Sequence, residues 1–206
     1  MSRPKIAIIN YGVGNLRSVS KGVQRAGADP RITADIAEAL SCDAVVFPGV
    51  GAFDSAMRII SKYRQKIEEV VSQGTPFLGI CLGMQILLSE SEESKVEKGL
   101  NIIPGKVKRL PNSVKVPHMG WNTLKIARED RLLHDVPNDS YFYFVHSYLC
   151  KPNSPDVVVA NTNYGAEFPS IIVKGNVYGT QFHPEKSGLC GLKILENFID
   201  ITREAS

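Results

Sequence analysis

The first half of the chain alternates short, almost wholly apolar runs with segments whose apolar residues recur at helical spacing. The apolar runs are KIAIIN (5–10), DAVVFPG (43–49) and TPFLGIC (75–81). Helical periodicity follows the first two runs, in residues 15–28 and 55–74. Because strands without polar alternation are buried on both faces, this pattern predicts an α/β fold. Its central sheet should be mostly parallel, with helices on both faces.

The second half consists of β-rich runs interrupted by Pro, Asn and Gly. These runs are GKVKRL, VPHMGWNTLKI, SYFYFVHSYLC, DVVVANTNYG and PSIIVKGNVYGTQFHPE. They predict antiparallel strands and hairpins added to the same sheet. The spacing of Leu192, Leu195 and Ile199 predicts a terminal helix over 187–200. We find no repeat or long linker, and therefore expect one domain over residues 1–206.

Charge and hydropathy exclude two classes of partner. The chain carries 24 basic and 21 acidic residues, a formal charge of +3, without a cluster of Lys and Arg. This balance is too weak to indicate a nucleic-acid partner. No apolar stretch approaches the ~20 residues of a membrane span, and the N-terminal apolar run is too short for a signal peptide. We therefore expect a cytoplasmic protein that binds neither membrane nor nucleic acid.

Cysteine and histidine spacings give no sign of a disulfide framework or a metal site. Four cysteines are scattered, and we expect free thiols; they are Cys42, Cys81, Cys150 and Cys190. The four histidines lack the spacing of a zinc site; they are His118, His134, His146 and His183. We therefore expect neither a metal nor a cofactor.

One cysteine stands at the boundary between a predicted strand and a predicted helix. In PFLGICLGMQ (76–85), Cys81 has Gly79 two residues before it and Gly83 two residues after it. This layout is typical of a nucleophile elbow, in which glycines let neighbouring backbone approach closely. A thiol at a helix N-terminus is favoured as thiolate, and the N–H of Leu82 can face a developing oxyanion. The stretch alone also fits a buried structural cysteine.

Two glycine-containing turns follow other predicted strands. FPGVGAF (47–53) indicates by itself only a tight turn. At the carboxyl end of a parallel sheet, where ligands bind, it could supply a second oxyanion donor from the N–H of Val50 or Gly51. NYGVGN (10–15) lacks the third glycine of a dinucleotide fingerprint, since Arg17 stands there. We predict that this loop is surface or interface.

The stretch GTQFHPEKSG (179–188) contains a histidine and a glutamate two residues apart. If 177–183 is a strand, His183 and Glu185 project to one side. A carboxylate beside an imidazole fixes its tautomer and stabilises the imidazolium, as in nucleophile–base–orienter triads. Without a partner, the stretch favours a structural histidine at a strand end. Cys81 supplies that partner if both motifs lie at the carboxyl edge of the sheet.

Taken together, PGVGAF, GICLGMQ and QFHPEKS resemble the triad-type (class I) glutamine amidotransferase family over essentially the whole chain. Within it, NYGVGN, PHMGWN and YFVHSY are similar to the glutaminase subunits of imidazole glycerol phosphate synthases, enzymes of histidine biosynthesis. The alternatives left open are a glutaminase of another synthase, a γ-glutamyl hydrolase and a non-catalytic binding subunit.

The resemblance implies a flavodoxin-like α/β glutaminase without cofactor, whose catalytic triad is Cys81, His183 and Glu185. It implies an oxyanion hole made by the backbone of Leu82 and of Val50 or Gly51. Positions that match glutamine-binding residues of the family are Gln85, Glu93, His146, Ser147 and Tyr148. Ammonia would pass to a (β/α)₈-barrel cyclase in a heterodimer, and the positions that match the partner-facing residues are Asn15, Met119, Trp121, Tyr143 and Lys186.

Overall fold

The computed structural model describes residues 3–12, 15–49 and 51–205. Within these ranges the α-helices are α1 Leu16–Arg25, α2 Ile36–Ala39, α3 Phe53–Ile60, α4 Arg64–Ser72, α5 Leu82–Ile86 and α6 Gly188–Ala205. The strands are β1 Lys5–Ile9, β2 Asp29–Thr33, β3 Ala44–Phe47, β4 Phe77–Ile80, β5 Glu90–Ser91, β6 Gly105–Arg109, β7 His118–Thr123, β8 Lys125–Ile126, β9 Tyr141–His146, β10 Tyr148–Pro152, β11 Val158–Asn163, β12 Glu167–Lys174 and β13 Val177–Thr180. Among the described residues, no helix is long and apolar enough to cross a membrane.

The main sheet confirms the predicted architecture. Its strand order is β2-β1-β3-β4-β13-β12-β11-β8. The five strands from β2 to β13 in this order are parallel, and β12, β11 and β8 continue the sheet in antiparallel pairs. The predicted mostly parallel sheet with antiparallel additions from the C-terminal half is therefore present.

The two faces of the sheet carry two hydrophobic cores, and β1 shows why its sequence is continuously apolar. Ile6 and Ile8 pack into the core under α1 and α6. Ala7 and Ile9 pack into the opposite core, under α3 and α4. Because successive side chains point to opposite faces, a strand between two helical layers has no solvent-facing position.

Four parallel strands end at the same edge of the sheet. Their last residues are Ile9 in β1, Phe47 in β3, Ile80 in β4 and Thr180 in β13. The described residues that leave this edge begin the stretches that the sequence marked, at Asn10, Pro48, Cys81 and Gln181. The order β1-β3-β4-β13 therefore brings together stretches far apart in the chain.

One prediction about the elements was wrong in detail, and two elements were missed. The helix expected over 55–74 is two helices, α3 and α4, separated by a 3₁₀ turn at Ser61–Tyr63. Tyr63 leaves the helical region there, and the next residue, Arg64, donates to the carbonyl of Leu100. No Gly or Pro marks the break. Strand β2 and helix α2 were not predicted, because edge strand β2 is only partly buried and has no apolar run.

The β-rich runs of the second half were predicted to join the main sheet, but not all of them do. Strands β5, β6 and β10 form a separate three-stranded sheet, and β7 pairs with β9 in a two-stranded one. Strand β9 alternates exposed or half-buried residues with buried ones, so that only one of its faces packs on the core. Its other face lies beside the carboxyl edge, where His183 N–H donates to the Tyr143 carbonyl.

Candidate active site

Cys81 lies on a strained turn between β4 and α5. Its backbone has φ 51° and ψ −103°, a region that a residue with a side chain occupies only at a cost. Its N–H donates to the Thr180 carbonyl at 2.7 Å, which fixes the turn on the end of β13. Helix α5 begins at Leu82 as predicted, but it has only five residues. The turn therefore owes its shape to packing and to this hydrogen bond more than to a helix dipole.

The glycines on either side of Cys81 serve the close approach that the sequence predicted. A side-chain carbon on Gly79 would overlap the backbone of Gly83 in α5. A side-chain carbon on Gly83 would overlap the carbonyl oxygen of Phe47, at the end of β3. Neither obstacle is a flexible side chain. The elbow therefore needs glycine at both positions because backbone meets backbone.

We expect Gly83→Ala to destabilise the protein by about 1–3 kcal/mol, the cost of overpacking a tight contact. Gly74→Ala is the matched control, since Gly74 is exposed, has φ +94° and has no atom in the way of a side chain. It should cost about 1 kcal/mol for backbone strain alone. Denaturant unfolding of both variants measures the difference. Equal losses would contradict the close-packing role of Gly83.

His183 and Glu185 are joined by a hydrogen bond, although not through the predicted strand. Strand β13 ends at Thr180, and a 3₁₀ turn at Pro184–Lys186 follows His183. The turn brings His183 Nδ1 to 2.8 Å from Glu185 Oε1. Both side chains are almost wholly buried. The predicted pair is present, but Pro184 and the turn, rather than strand alternation, create it.

Asn15 holds the same carboxylate from the other side. It has a left-handed backbone, φ 74°, at the N-cap of α1, and its side chain makes no cap hydrogen bond. Instead its Nδ2 donates to Glu185 Oε1 at 2.6 Å. Glu185 Oε1 thus accepts from Asn15 and His183, while Oε2 has no partner among the described residues. Asn15, predicted as a partner-facing residue, lies within the site itself.

The protonation of His183 follows from its surroundings. Burial alone would lower its pKa, but interaction with the negative charges of Cys81 and Glu185 raises the pKa to about 10. The imidazole therefore holds its proton at neutral pH and is ready to give it to a leaving group. Its Nδ1 is bound to Glu185, so Nε2, which is buried and has no hydrogen-bond partner among the described residues, is the nitrogen left to serve the Cys81 sulfur. The structure thus places the His183–Glu185 pair beside Cys81 at one edge of the sheet.

Sequence reasoning missed the residue that fixes the backbone of this line. Ser187 is buried, and its Oγ donates to the carbonyl of His183 at 2.7 Å. The same Oγ accepts from the N–H of Tyr143 at 2.9 Å. Together with the bond from His183 N–H to the Tyr143 carbonyl, it ties His183 to β9. A serine after QFHPEK has no signal of its own in one sequence.

Of the predicted oxyanion residues, Leu82 and Gly51 are among the described residues. Val50 lies outside the described residues. Gly51 has φ +136°, a conformation that only glycine adopts readily. Tyr11, which we predicted to lie in a surface or interface loop, is instead buried and donates its hydroxyl to the Pro48 carbonyl. Burial raises the pKa of Tyr11, so this hydroxyl remains a donor that holds Pro48 at the end of β3.

The predicted glutamine-binding residues lie on two sides of the elbow. Gln85, in α5, is buried and donates to the Tyr148 carbonyl at 3.1 Å. The 146–148 backbone is thereby held next to the elbow. Glu93 accepts a 3.3 Å hydrogen bond from Phe53 N–H at the start of α3. Burial raises the pKa of Glu93, and this hydrogen bond opposes the rise. Gln85 and the 146–148 backbone are therefore in contact, whereas Glu93 belongs to the PGVGAF side.

Two histidines, His118 and His146, form a hydrogen-bonded pair next to the 146–148 backbone. His118 Nδ1 is 3.0 Å from His146 Nε2, and His146 Nδ1 is 2.8 Å from the Tyr148 carbonyl. Asn122 Nδ2 is 3.3 Å from His118 Nε2. The carbonyl can only accept, so His146 must donate from Nδ1 and accept at Nε2 from His118. Burial lowers the pKa of His118 to about 4 and that of His146 to about 3, and both rings are neutral.

This pair predicts a loss of stability in acid. The pKa of both rings is below the ordinary 6.5 when folded, so the unfolded chain binds more protons below pH 6.5. Their contribution is complete above pH 6.5 and falls as the pH decreases towards 4 and 3. We expect denaturant midpoints to decline over this window, and His118→Asn to flatten the decline. His134→Asn, at an exposed histidine, should leave it unchanged; equal slopes in all three proteins would contradict the assignment.

The predicted partner-facing residues other than Asn15 lie on or beside the outer side of the β7–β9 sheet. Met119 and Trp121 are 63% and 55% exposed, and the Trp121 ring meets the ring of Tyr143 edge-on. Lys186 Nζ lies 5.7 Å from the centre of the Tyr143 ring. Two further apolar side chains, Tyr141 and Leu189, are exposed on β9 and at the start of α6. Sequence reasoning did not single them out.

Comparison with known proteins places this geometry. The family model for glutamine amidotransferase class-I matches residues 7–201. The chain belongs to the class-I glutamine amidotransferase family. Relatives of this amidotransferase include the imidazole glycerol phosphate synthase subunit HisH of Methanosarcina barkeri, 50% identical over 96% of this chain and 98% of the relative. The HisH subunit from Methanothermobacter thermautotrophicus is 52% identical over 96% and 99% of the two chains.

Solved structures confirm the amidotransferase fold. A glutamine amidotransferase of known crystal structure superposes with a TM-score of 0.76 at 16% identity, covering 96% of this chain and 98% of its own. The glutaminase domain of Trypanosoma brucei CTPS, solved with bound acivicin, gives a TM-score of 0.68 at 15% identity, covering 98% and 94%. At these identities the likeness concerns the fold alone.

Proposed function

We propose that this chain is the glutaminase subunit of an imidazole glycerol phosphate synthase, and that it hydrolyses L-glutamine to glutamate and ammonia at Cys81. The observation that carries the proposal is the buried His183–Glu185 pair beside the Cys81 turn at the carboxyl edge of the sheet. The rise in the pKa of His183, caused in part by Cys81, supports it. The choice of synthase is supported by the HisH relatives, which are about half identical over nearly the whole chain.

The proposed reaction begins with attack of the Cys81 sulfur on the side-chain amide carbon of glutamine. His183, protonated at neutral pH, gives its proton to the departing nitrogen, and ammonia leaves a γ-glutamyl thioester on Cys81. His183, now neutral, takes a proton from water as the water attacks the thioester. Glutamate is released, and the thiolate and imidazolium are restored. Glu185 keeps Nδ1 of His183 as the donor throughout, so Nε2 faces the reaction.

The substrate and oxyanion residues complete this proposal. Gln85, Glu93 and the backbone of His146, Ser147 and Tyr148 hold the amino acid end of glutamine, with the Glu93 carboxylate facing its ammonium group. The backbone N–H groups of Leu82 and of the PGVG turn bind the oxyanion of the tetrahedral intermediate. The proposed reaction needs no cofactor or metal, since the Cys81 sulfur and the His183 proton supply its chemistry.

The partner is proposed to dock on the exposed side of the β7–β9 sheet. Met119, Trp121, Tyr143 and Lys186 lie there, and Tyr143 is bonded through its backbone to His183. An apolar exposed patch of this kind is typical of a protein interface. A (β/α)₈-barrel cyclase bound here would receive the ammonia in a cytoplasmic heterodimer. The whole chain would act as one amidotransferase domain.

The test is ammonia release from glutamine by this chain with its candidate cyclase, with and without the cyclase's ribonucleotide substrate. We expect rapid release only with the liganded partner, together with imidazole glycerol phosphate. Equal turnover by the free chain would contradict the dependence on a partner. Hydrolysis of γ-glutamyl peptides in place of glutamine would replace the proposal with a peptide hydrolase.

The docking surface has its own test. Trp121→Glu should weaken binding of the cyclase about tenfold or more, as loss of a central tryptophan does at protein interfaces. Ile32→Glu is the matched control, because Ile32 is also an exposed hydrophobic residue but lies on edge strand β2. Titration calorimetry distinguishes the two variants. Equal affinities would place the interface elsewhere.

A further inference from the structure

We propose that Gln181 is a catalytic residue, which donates a side-chain N–H to the sulfur of Cys81 and stabilises it as a thiolate. The inference rests on the proposed function and adds a fourth side chain to its reaction. Gln181 Nε2 lies 3.6 Å from Cys81 Sγ, which is hydrogen-bond distance for sulfur.

The position of Gln181 is fixed by the sheet. Its backbone N–H donates to the Ser170 carbonyl at 2.9 Å and continues the β12–β13 ladder beyond the last residue of β13. The carbonyl of the residue before it, Thr180, accepts the backbone N–H of Cys81. Gln181 itself is wholly buried. The nucleophile is thus held against the end of β13 by its backbone and by this side chain.

Two groups at hydrogen-bond distance from the sulfur act in opposite directions. The carbonyl oxygen of Val145 lies 3.7 Å from Cys81 Sγ. It accepts a hydrogen bond from a neutral thiol and repels a thiolate. An amide N–H has the reverse preference, since it can only donate. Gln181 therefore offsets Val145 while Cys81 is a thiolate beside protonated His183, and again when the thioester is cleaved and the thiolate returns.

The buried amide has no other evident purpose within the described residues. Its Oε1 has no hydrogen-bond partner there, and Cys81 Sγ is the side-chain partner of its Nε2. Leaving a buried polar atom unsatisfied costs about 1–3 kcal/mol. An apolar side chain of the same length would avoid that cost and fill the same space. A glutamine whose one side-chain bond is to the nucleophile is explained by the chemistry of that sulfur.

The direct test is the pH dependence of Cys81 alkylation by iodoacetamide, located by peptide mass spectrometry, in wild-type protein and Gln181→Met. Methionine has nearly the shape of glutamine but no N–H donor. Because a hydrogen bond to a charged group is worth roughly a factor of 10–100, we expect alkylation at neutral pH to slow by at least about tenfold and its midpoint to move to higher pH. An unchanged profile in a folded Gln181→Met protein would overturn the proposal.

Two controls separate this effect from general damage. Thr162→Val removes another buried side-chain hydrogen bond, from Thr162 Oγ1 to the Thr123 carbonyl, and should leave the alkylation profile unchanged. If Gln181→Met does not fold, the wild-type chain gives the answer by NMR. The side-chain amide signals of Gln181 should move as Cys81 is titrated, and should not move in Cys81→Ala. Gln181 amide signals that do not move during the titration of Cys81 would also overturn the proposal.

Steady-state kinetics with the cyclase partner provide a readout that a merely structural role would not give. Gln181→Met should lower kcat about tenfold or more while leaving the KM for glutamine within about twofold, since the donor faces the sulfur. The alkylation assay does not depend on glutamine turnover. Failure of the wild-type chain to hydrolyse glutamine would sink the proposed function and leave the alkylation result standing, whereas an unchanged alkylation profile would sink only the role of Gln181.

Discussion

Replacing Cys81 with alanine is expected to abolish glutamine hydrolysis, with a fall in turnover of about 10⁴-fold or more. No other described group could form the thioester at this position, since Cys81 alone of the four cysteines interacts with His183. Loss of a nucleophile has effects of this size in hydrolases that use a triad. Ammonia release with the partner present measures the effect.

The control is Cys190→Ser, a change at a half-buried thiol near the start of α6, which should leave turnover within about twofold because it is outside the site. Alanine has the same Cβ as cysteine, so the positive φ of residue 81 costs it no more than it costs cysteine, and the variant should stay folded. Glutamine should still bind to Cys81→Ala, since Gln85 and the 146–148 backbone remain. Residual turnover within tenfold of the wild type would exclude Cys81 as the nucleophile.

Replacing Glu185 with glutamine is expected to lower kcat by about 10²–10⁴-fold with little change in shape at the site. The remaining carbonyl oxygen can still accept from Asn15 and His183, but the charge that stabilises the imidazolium is lost. Removal of the charge of an orienting carboxylate has comparable effects in other triads. The pKa of His183, raised to about 10 in part by Glu185, should fall.

Two measurements check this second result. The alkaline limb of the kcat profile should move to lower pH in Glu185→Gln, and the imidazole signal of His183 should titrate at lower pH by NMR. Glu204→Gln is the control, since Glu204 is exposed on α6 and paired with Arg131. A normal kcat together with an unshifted His183 titration would remove Glu185 from the mechanism.

The contribution of His183 to stability depends on pH in the opposite direction to that of the His118–His146 pair. A histidine whose folded pKa exceeds 6.5 stabilises the fold below that pH, and the contribution is lost as the pH rises through about 10. The neutral pair contributes above 6.5 and is lost in acid. As far as these histidines decide it, the fold is therefore expected to be most stable near pH 6.5, where both contributions are close to complete.

The central elements and the Cys81 elbow could be predicted because their physical causes are local. Apolar runs such as that of β1 are continuous because both faces are buried, and glycines mark the Cys81 elbow because backbone meets backbone there. Strand β2 escaped prediction because an edge strand needs no apolar run. The break at Ser61–Tyr63 was not predicted because it goes with a long-range contact: the side chain of the next residue, Arg64, donates to the carbonyl of Leu100.

The residues that support the triad were out of reach for the same reason. Gln181, Ser187 and Tyr11 act through partners more than thirty residues away in sequence, and their places within QFHPEKS and NYGVGN do not by themselves indicate those partners. Asn15 was predicted to face a partner protein. Its contact with Glu185 depends on the packing of α1 beside the 3₁₀ turn, and only the fold brings the two together.

The most direct test of catalysis through Cys81 is a rapid-quench experiment with ¹³C-labelled glutamine, the liganded cyclase and the wild-type chain, followed by peptide mass spectrometry. We expect a labelled γ-glutamyl adduct on the peptide that contains Cys81, formed before ammonia release is complete and absent from Cys81→Ala. Ammonia release without any adduct, or an adduct on Cys42, Cys150 or Cys190 instead, would contradict the proposed mechanism.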